Sequence, residues 1–119
     1  NQMIVNMKDI IKNNSMDQSW CHRVINTENN SATLITQMPG EGNRRHYHPD
    51  WNEWCFIVEG EWDWEIDRKT YVVKKNDFVF IPKGVVHKIT ARGKNQATRL
   101  AISREDVIHA YPEGDHTNE

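Results

Sequence analysis

The sequence predicts an all-β domain, a sandwich or closed barrel, on three observations. Short apolar stretches recur from residue 20 to residue 103, separated by turn-forming clusters such as Thr27-Glu28-Asn29-Asn30, Pro39-Gly40 and Lys74-Lys75-Asn76-Asp77. Trp62, Trp64 and Ile66 alternate with Asp63, Glu65 and Asp67, the period-2 signature of a strand with one wet face. Helical spacing is confined to a short run near the N-terminus, where Ile4, Met7, Ile10 and Ile11 share a face.

That run predicts a helix over residues 3–12, which Asn13-Asn14-Ser15 ends. Residues 20–25 read as the first strand and residues 32–38 as the second, closed by Pro39-Gly40. Residues 44–48 and 53–58 flank a loop, Pro49-Asp50-Trp51-Asn52. Glu59-Gly60-Glu61 then reads as a tight hairpin turn into the Trp62 strand. Residues 71–73 and 78–81 are apolar strands, and residues 85–91 and 98–103 complete the set. Ser103-Arg104-Glu105-Asp106 opens a short helical turn, and residues 112–119 read as a loose tail. There is no internal repeat and no low-complexity segment.

The chain's 119 residues fit one domain, spanning residues 1–119, with room for a core. Hydrophobic residues make up 37% and charged residues 27%, with no apolar run long enough to span a membrane. A net charge of −2 without a basic cluster argues against a nucleic-acid binder. Cys21 and Cys55 have no CxxC spacing and imply no disulfide framework, so a reducing cytoplasm is the expected compartment. No signal-peptide pattern is present; the chain does not begin with Met, which leaves its native start open.

The chemistry concentrates between Gly40 and Gly60. His46 and His48 stand two apart, so on an extended strand both imidazoles project from one face. The loop through Pro49-Asp50-Trp51-Asn52 can return the Glu53 carboxylate to them. Two imidazoles and a carboxylate suit a divalent first-row metal, and His87, at the end of Pro82-Lys83-Gly84-Val85-Val86-His87, is a fourth candidate ligand. Taken singly, each is an ordinary polar residue at a strand end. Together, aimed at a core, they need pairing or a metal.

These two stretches resemble the paired motifs of the cupin superfamily. The first motif, G-x5-H-x-H-x4-E-x6-G, is matched at Gly40, His46, His48, Glu53 and Gly60 with every spacing kept. The second, G-x5-P-x-G-x2-H-x3-N, is matched within residues 76–91 at Pro82, Gly84 and His87; Asn76 replaces its Gly and Ala91 its Asn. Asn tolerates positive φ better than other non-glycine residues, so the turn at Asn76 is still expected. The resemblance implies a small single-domain (type 2) cupin: a double-stranded β-helix, or jelly-roll barrel, pairing as a homodimer through its outer sheet. It also implies His46, His48, Glu53 and His87 as ligands of a divalent transition metal. Fe(II) is favoured, with Mn, Ni, Zn or Cu as alternatives.

Parity along the strands assigns the pocket wall. Cys55 shares the Glu53 face, either as a reactive thiol or, preferred here, as a small buried hydrophobe. Arg44 shares the face of His46 and His48 and is a candidate to hold an anionic substrate group bidentately, unless it stays solvated at the mouth. Trp62 and Trp64 face inward, for core packing or substrate stacking. Trp54 and Phe56 face outward, toward a second sheet or a partner subunit. His22, His109 and His116 have no partner at ligand spacing and read as surface residues. The function expected is a metal-dependent enzyme acting on a small polar metabolite, for which Arg44 and Arg45 would suit a phosphate, phosphonate or carboxylate handle; most concretely it is an Fe(II)-dependent dioxygenase. An isomerase, epimerase or lyase is the near rival, and a non-catalytic ligand-binding module is the alternative of a different class. The sequence names no general base.

Overall fold

Period-2 patterning is realised as two antiparallel sheets in the computed structural model, which describes residues 2–104 and 109–113. The elements run α1 (Met7–Lys12), β1 (Trp20–Asn26), β2 (Ser31–Gln37), β3 (Glu53–Glu59), β4 (Glu61–Ile66), β5 (Lys69–Lys74), β6 (Phe78–Ile81), β7 (His87–Arg92) and β8 (Ala97–Ser103). One sheet has five strands in the order β1-β2-β8-β3-β6; the other has three, β5-β4-β7. Their inner faces meet in one core built from Cys55 and Ile57 on β3, Trp62 and Trp64 on β4, and Ile89 and Ala91 on β7. Trp62 and Trp64 are 0% exposed, while Asp63 and Glu65 keep access to water, as their alternation predicts. Among the described residues no helix is long and apolar enough to cross a membrane.

The helix is shorter than its apolar spacing implies. It begins at Met7, where Asn6 Oδ1 caps the first turn by accepting from the Asp9 N–H at 3.1 Å, and it buries no side chain. Residues 44–48 form no regular strand; isolated bridges pair His46 with His87 and Tyr47 with Ala110. β5 lies at a sheet edge, and its Tyr71 and Val72 are exposed.

The turn at Gly60 is not a hairpin. β3 pairs with β6 and β8, whereas β4 pairs with β5 and β7, so the chain crosses from one sheet to the other at this residue. Gly60 sits at φ +77, and a Cβ there would lie 2.8 Å from Ala97 Cα. The crossing therefore needs both a left-handed backbone and the absence of a side chain. Asn76 takes φ 79, the conformation that its replacement of a motif glycine requires. Residues 105–106 of the expected helical turn lie outside the described residues, as do His116 and the tail beyond residue 113. Glu113 is tied down: its Oε1 accepts from Arg45 Nη1 at 3.1 Å.

Candidate metal centre

Backbone hydrogen bonds stitch two loops together and so place the imidazoles. His46 and His87 exchange both of theirs, at 2.9 and 2.8 Å, and the Gly84 N–H donates to the His48 carbonyl at 2.8 Å. Asn52 Oδ1 accepts from the Lys83 N–H at 3.0 Å, which holds the loop before Glu53 against the loop before His87. His46, His48 and His87 are buried as a result, at 2%, 2% and 0% exposure.

Their proton positions follow from their partners. His46 Nδ1 lies 2.6 Å from the Arg44 carbonyl oxygen and His87 Nδ1 lies 3.0 Å from that of Val85. A carbonyl only accepts, so each Nδ1 carries the proton and each Nε2 presents a lone pair. Hydrogen bonds of this kind orient the imidazoles that ligate metals. Burial, then the neighbouring His87, pushes His46 down to about 3, and burial lowers His87 as well, so both rings are neutral near pH 7. For Glu53, burial alone would raise the pKa. The hydrogen bond and charge of His48, followed by His87 and His46, outweigh it and hold the carboxyl below its ordinary value.

The ligand atoms of His48, Glu53 and His87 all lie within 4.8 Å of one another. Glu53 Oε2 is 3.5 Å from His48 Nε2, and Glu53 Oε1 is 3.7 Å from His87 Nε2. His87 Nε2 is buried without a hydrogen bond, so its lone pair faces a carboxylate oxygen across a short gap. Two electron-rich atoms so placed repel unless a cation lies between them, and this donor set fits a divalent transition metal.

The structure adds a residue that the sequence reading left on the surface. His109 is solvent-exposed, yet its ring centroid lies 4.9 Å from His46 and 4.7 Å from His48. Its ligand atom also groups with theirs within 4.8 Å. The cause is the Tyr47–Ala110 bridge, whose two backbone hydrogen bonds measure 2.8 and 2.9 Å. With those residues paired, His109 and Tyr111 fall on the side that His46 and His48 occupy. No short-range spacing announces a pairing so distant in sequence.

A pocket of about 390 Å³ opens beside the histidines, with His46, Glu53, Cys55, Arg99 and His109 in its wall. Cys55 faces it as parity predicts, but burial, then Glu53, pushes its thiol up, which makes it an inert wall residue. The Arg44 guanidinium stacks 4.1 Å over the Tyr111 ring instead of entering the pocket wall. Trp62 and Trp64 belong to the core behind the pocket. On the outer face of the five-stranded sheet, Trp54 is 36% exposed and its ring lies 5.9 Å from that of Phe78.

The chain is similar to known proteins in sequence and in fold. The chain is 34% identical over 77 residues to the uncharacterized protein YdbB of Bacillus subtilis, a match covering 63% of this chain and 66% of YdbB. A solved double-stranded β-helix protein from Klebsiella pneumoniae superposes with a TM-score of 0.77 at 15% identity, over 98% of this chain and 100% of its own. The DMSP lyase DddQ from Ruegeria pomeroyi superposes with a TM-score of 0.68 at 20% identity, over 84% of this chain and 54% of its own. This chain thus spans less than two thirds of YdbB and of DddQ. At such identities the two solved structures speak for the fold, which is the double-stranded β-helix. The cupin domain family (Cupin_2) matches residues 33–103, the stretch that holds β3 to β8 and the buried His46, His48 and His87, and the chain belongs to that family.

Proposed function

We propose that the chain is a metal-dependent enzyme acting on a small anionic metabolite, with His46, His48, Glu53 and His87 holding the metal. The observation that carries this reading is the His87 Nε2 lone pair buried 3.7 Å from a Glu53 oxygen, an arrangement that a cation relieves. When bound, a divalent metal supplies Lewis acidity, and iron adds redox chemistry with O2. The chain's own part is to keep His46 and His87 neutral and aimed, to keep Glu53 ionised, and to present a pocket of about 390 Å³ beside them.

Two chemistries fit that description. The first is the Fe(II)-dependent dioxygenase expected from the sequence. The second, isomerase or lyase chemistry, is favoured by a specific observation: His109 stands at the pocket wall against His46 and His48, where an accessible imidazole can take or give a substrate proton. DddQ, named as a lyase, has the same fold. His109 tips our reading toward proton transfer. A homodimer packed through the outer face of the five-stranded sheet belongs to the same reading, because Phe78 and Phe80 are 69% and 59% exposed there.

The deciding experiment is elemental analysis of the protein beside its His46→Ala/His48→Ala variant, with O2 uptake and solvent-deuterium incorporation then measured on candidate acids. Roughly one metal per chain in the parent and little in the variant supports the reading. Iron with O2 uptake selects the dioxygenase; deuterium incorporation without O2 uptake selects the isomerase or lyase. A parent that takes up no metal after reconstitution refutes the enzyme as stated and leaves a ligand-binding protein.

A further inference from the structure

The metal site leaves unused a buried cation in the same pocket. Arg99 is 1% exposed on β8, where it pairs with Ile35 of β2 and Ile57 of β3. Its neighbour Thr98 turns to the other side of the sheet and hydrogen-bonds Thr36 at 2.7 Å, so Arg99 and Ala101 turn inward and line the pocket. A guanidinium offers five N–H donors. Among the described residues Arg99 makes one hydrogen bond, from Nη1 to Gln37 Oε1 at 2.7 Å, and no ion pair. Its planar face rests 4.5 Å from the Trp62 ring, which is 0% exposed.

Burial lowers the Arg99 pKa, and the charge of Glu53 acts on it only from a distance, with no direct ion pair among the described residues, so an anion entering the pocket would complete its compensation. Glu53 lines the same pocket but is turned to the imidazoles of His48 and His87. Gln37 and Trp62 fix the plane of the guanidinium, which leaves its remaining donors as a rigid fork. That fork matches the paired oxygens of a carboxylate or phosphate.

We propose that Arg99, held by Gln37 and backed by Trp62, is the receptor for an oxyanion group of the substrate. This rests on the reading of an anionic metabolite and moves the anion handle from Arg44, which is committed to Tyr111, to Arg99. His46, Glu53 and His109 share the pocket with Arg99, so the ligand is a small acid anchored on Arg99 with its remaining atoms beside the histidines.

The test is calorimetric titration of metal-free and metal-loaded protein with acetate, succinate and inorganic phosphate, repeated on Arg99→Met. The parent binds at least one of the three without metal, and the arm that binds identifies carboxylate or phosphate as the group. Arg99→Met weakens that binding by roughly 30-fold or more. Without anion its Tm is unchanged or higher, because the unpaired buried charge has gone. In the parent, the Arg99 Nε–H resonance moves as the anion saturates. That reading needs no variant and decides the matter should Arg99→Met not fold. Absence of binding by the parent in both metal states, an unmoved Arg99 resonance at saturation, or an Arg99→Met variant binding within about threefold of the parent overturns the proposal. Anion binding in a protein that takes up no metal sinks the enzyme reading alone; metal uptake without an anion response sinks this one alone.

Discussion

Replacing Gly60 by Ala tests the crossing between the sheets, and the structure sets the size of the effect. Two penalties add at this residue. The backbone is left-handed at φ +77, which costs a non-glycine residue about 1–2 kcal/mol. The new Cβ would also lie 2.8 Å from both Ala97 Cα and Ala97 Cβ and 3.0 Å from Gln96 O, so the β8 backbone must shift, an overpacking penalty of about 1–3 kcal/mol. The sum is roughly 2–5 kcal/mol, a large part of the roughly 6–18 kcal/mol that a chain of this length commands. Gly84 is the internal control: its φ is +80, but nothing lies within 4 Å of an added Cβ, so Gly84→Ala carries only the first penalty. Any gain from a stiffer unfolded chain is common to both variants and cancels in the comparison. In urea, with m near 1.5 kcal/mol/M, the midpoint falls by about 1–3 M for Gly60→Ala and by about 1 M for Gly84→Ala, m being unchanged. Equal shifts for the two variants would mean that β3 and β4 do not cross against β8 as described, and the argument would fail.

Three further outcomes are expected. Ellman's reagent modifies Cys21 in the native protein and spares Cys55 until denaturant is added, since one thiol is exposed and the other is buried with its pKa raised; rapid reaction of both would refute the closed pocket wall. Trp64→Ala lowers stability by roughly 3–5 kcal/mol in the same urea assay, whereas Tyr71→Ala, at an exposed position of edge strand β5, stays within about 0.5 kcal/mol. Light scattering after gel filtration gives twice the 14.0 kDa chain mass for the parent and the single-chain mass for Phe78→Asp/Phe80→Asp; a monomeric parent rejects the homodimer.

What the sequence discloses depends on the range of the interaction that fixes each feature. The alternation through Trp62, Asp63, Trp64 and Glu65 is local, and the strand it marks has the predicted face inside. The turn at Asn76 is local too, and the residue's tolerance of positive φ was reason enough to expect it. Gly60 misleads because a glycine between two strands signals a turn without saying whether the strands pair with each other. Here they pair elsewhere, and only the approach of Ala97 shows why a glycine is required.

The site divides along the same line. His46, His48 and Glu53 are legible because their spacing is short, and the structure brings His87 to them through a reciprocal backbone bond that no window of sequence contains. Arg44 shows the limit of parity. It lies two residues before His46 and its carbonyl accepts the His46 proton, but its side chain is drawn to Tyr111, a residue that the Tyr47–Ala110 bridge delivers. That same bridge delivers His109. One pairing between distant residues thus removes a cation from the expected pocket wall and supplies an imidazole to it. A buried cation that does line the pocket, Arg99, is the one charged residue of β8, where a charged side chain reads as solvent-facing. Its inward turn follows from the register of β8 between β2 and β3, which places Arg99 on the face of Cys55 and Ala101. His46, His48 and Glu53 are therefore written in local spacing, whereas His87, His109 and Arg99 reach the pocket region through pairings and register between segments distant in sequence.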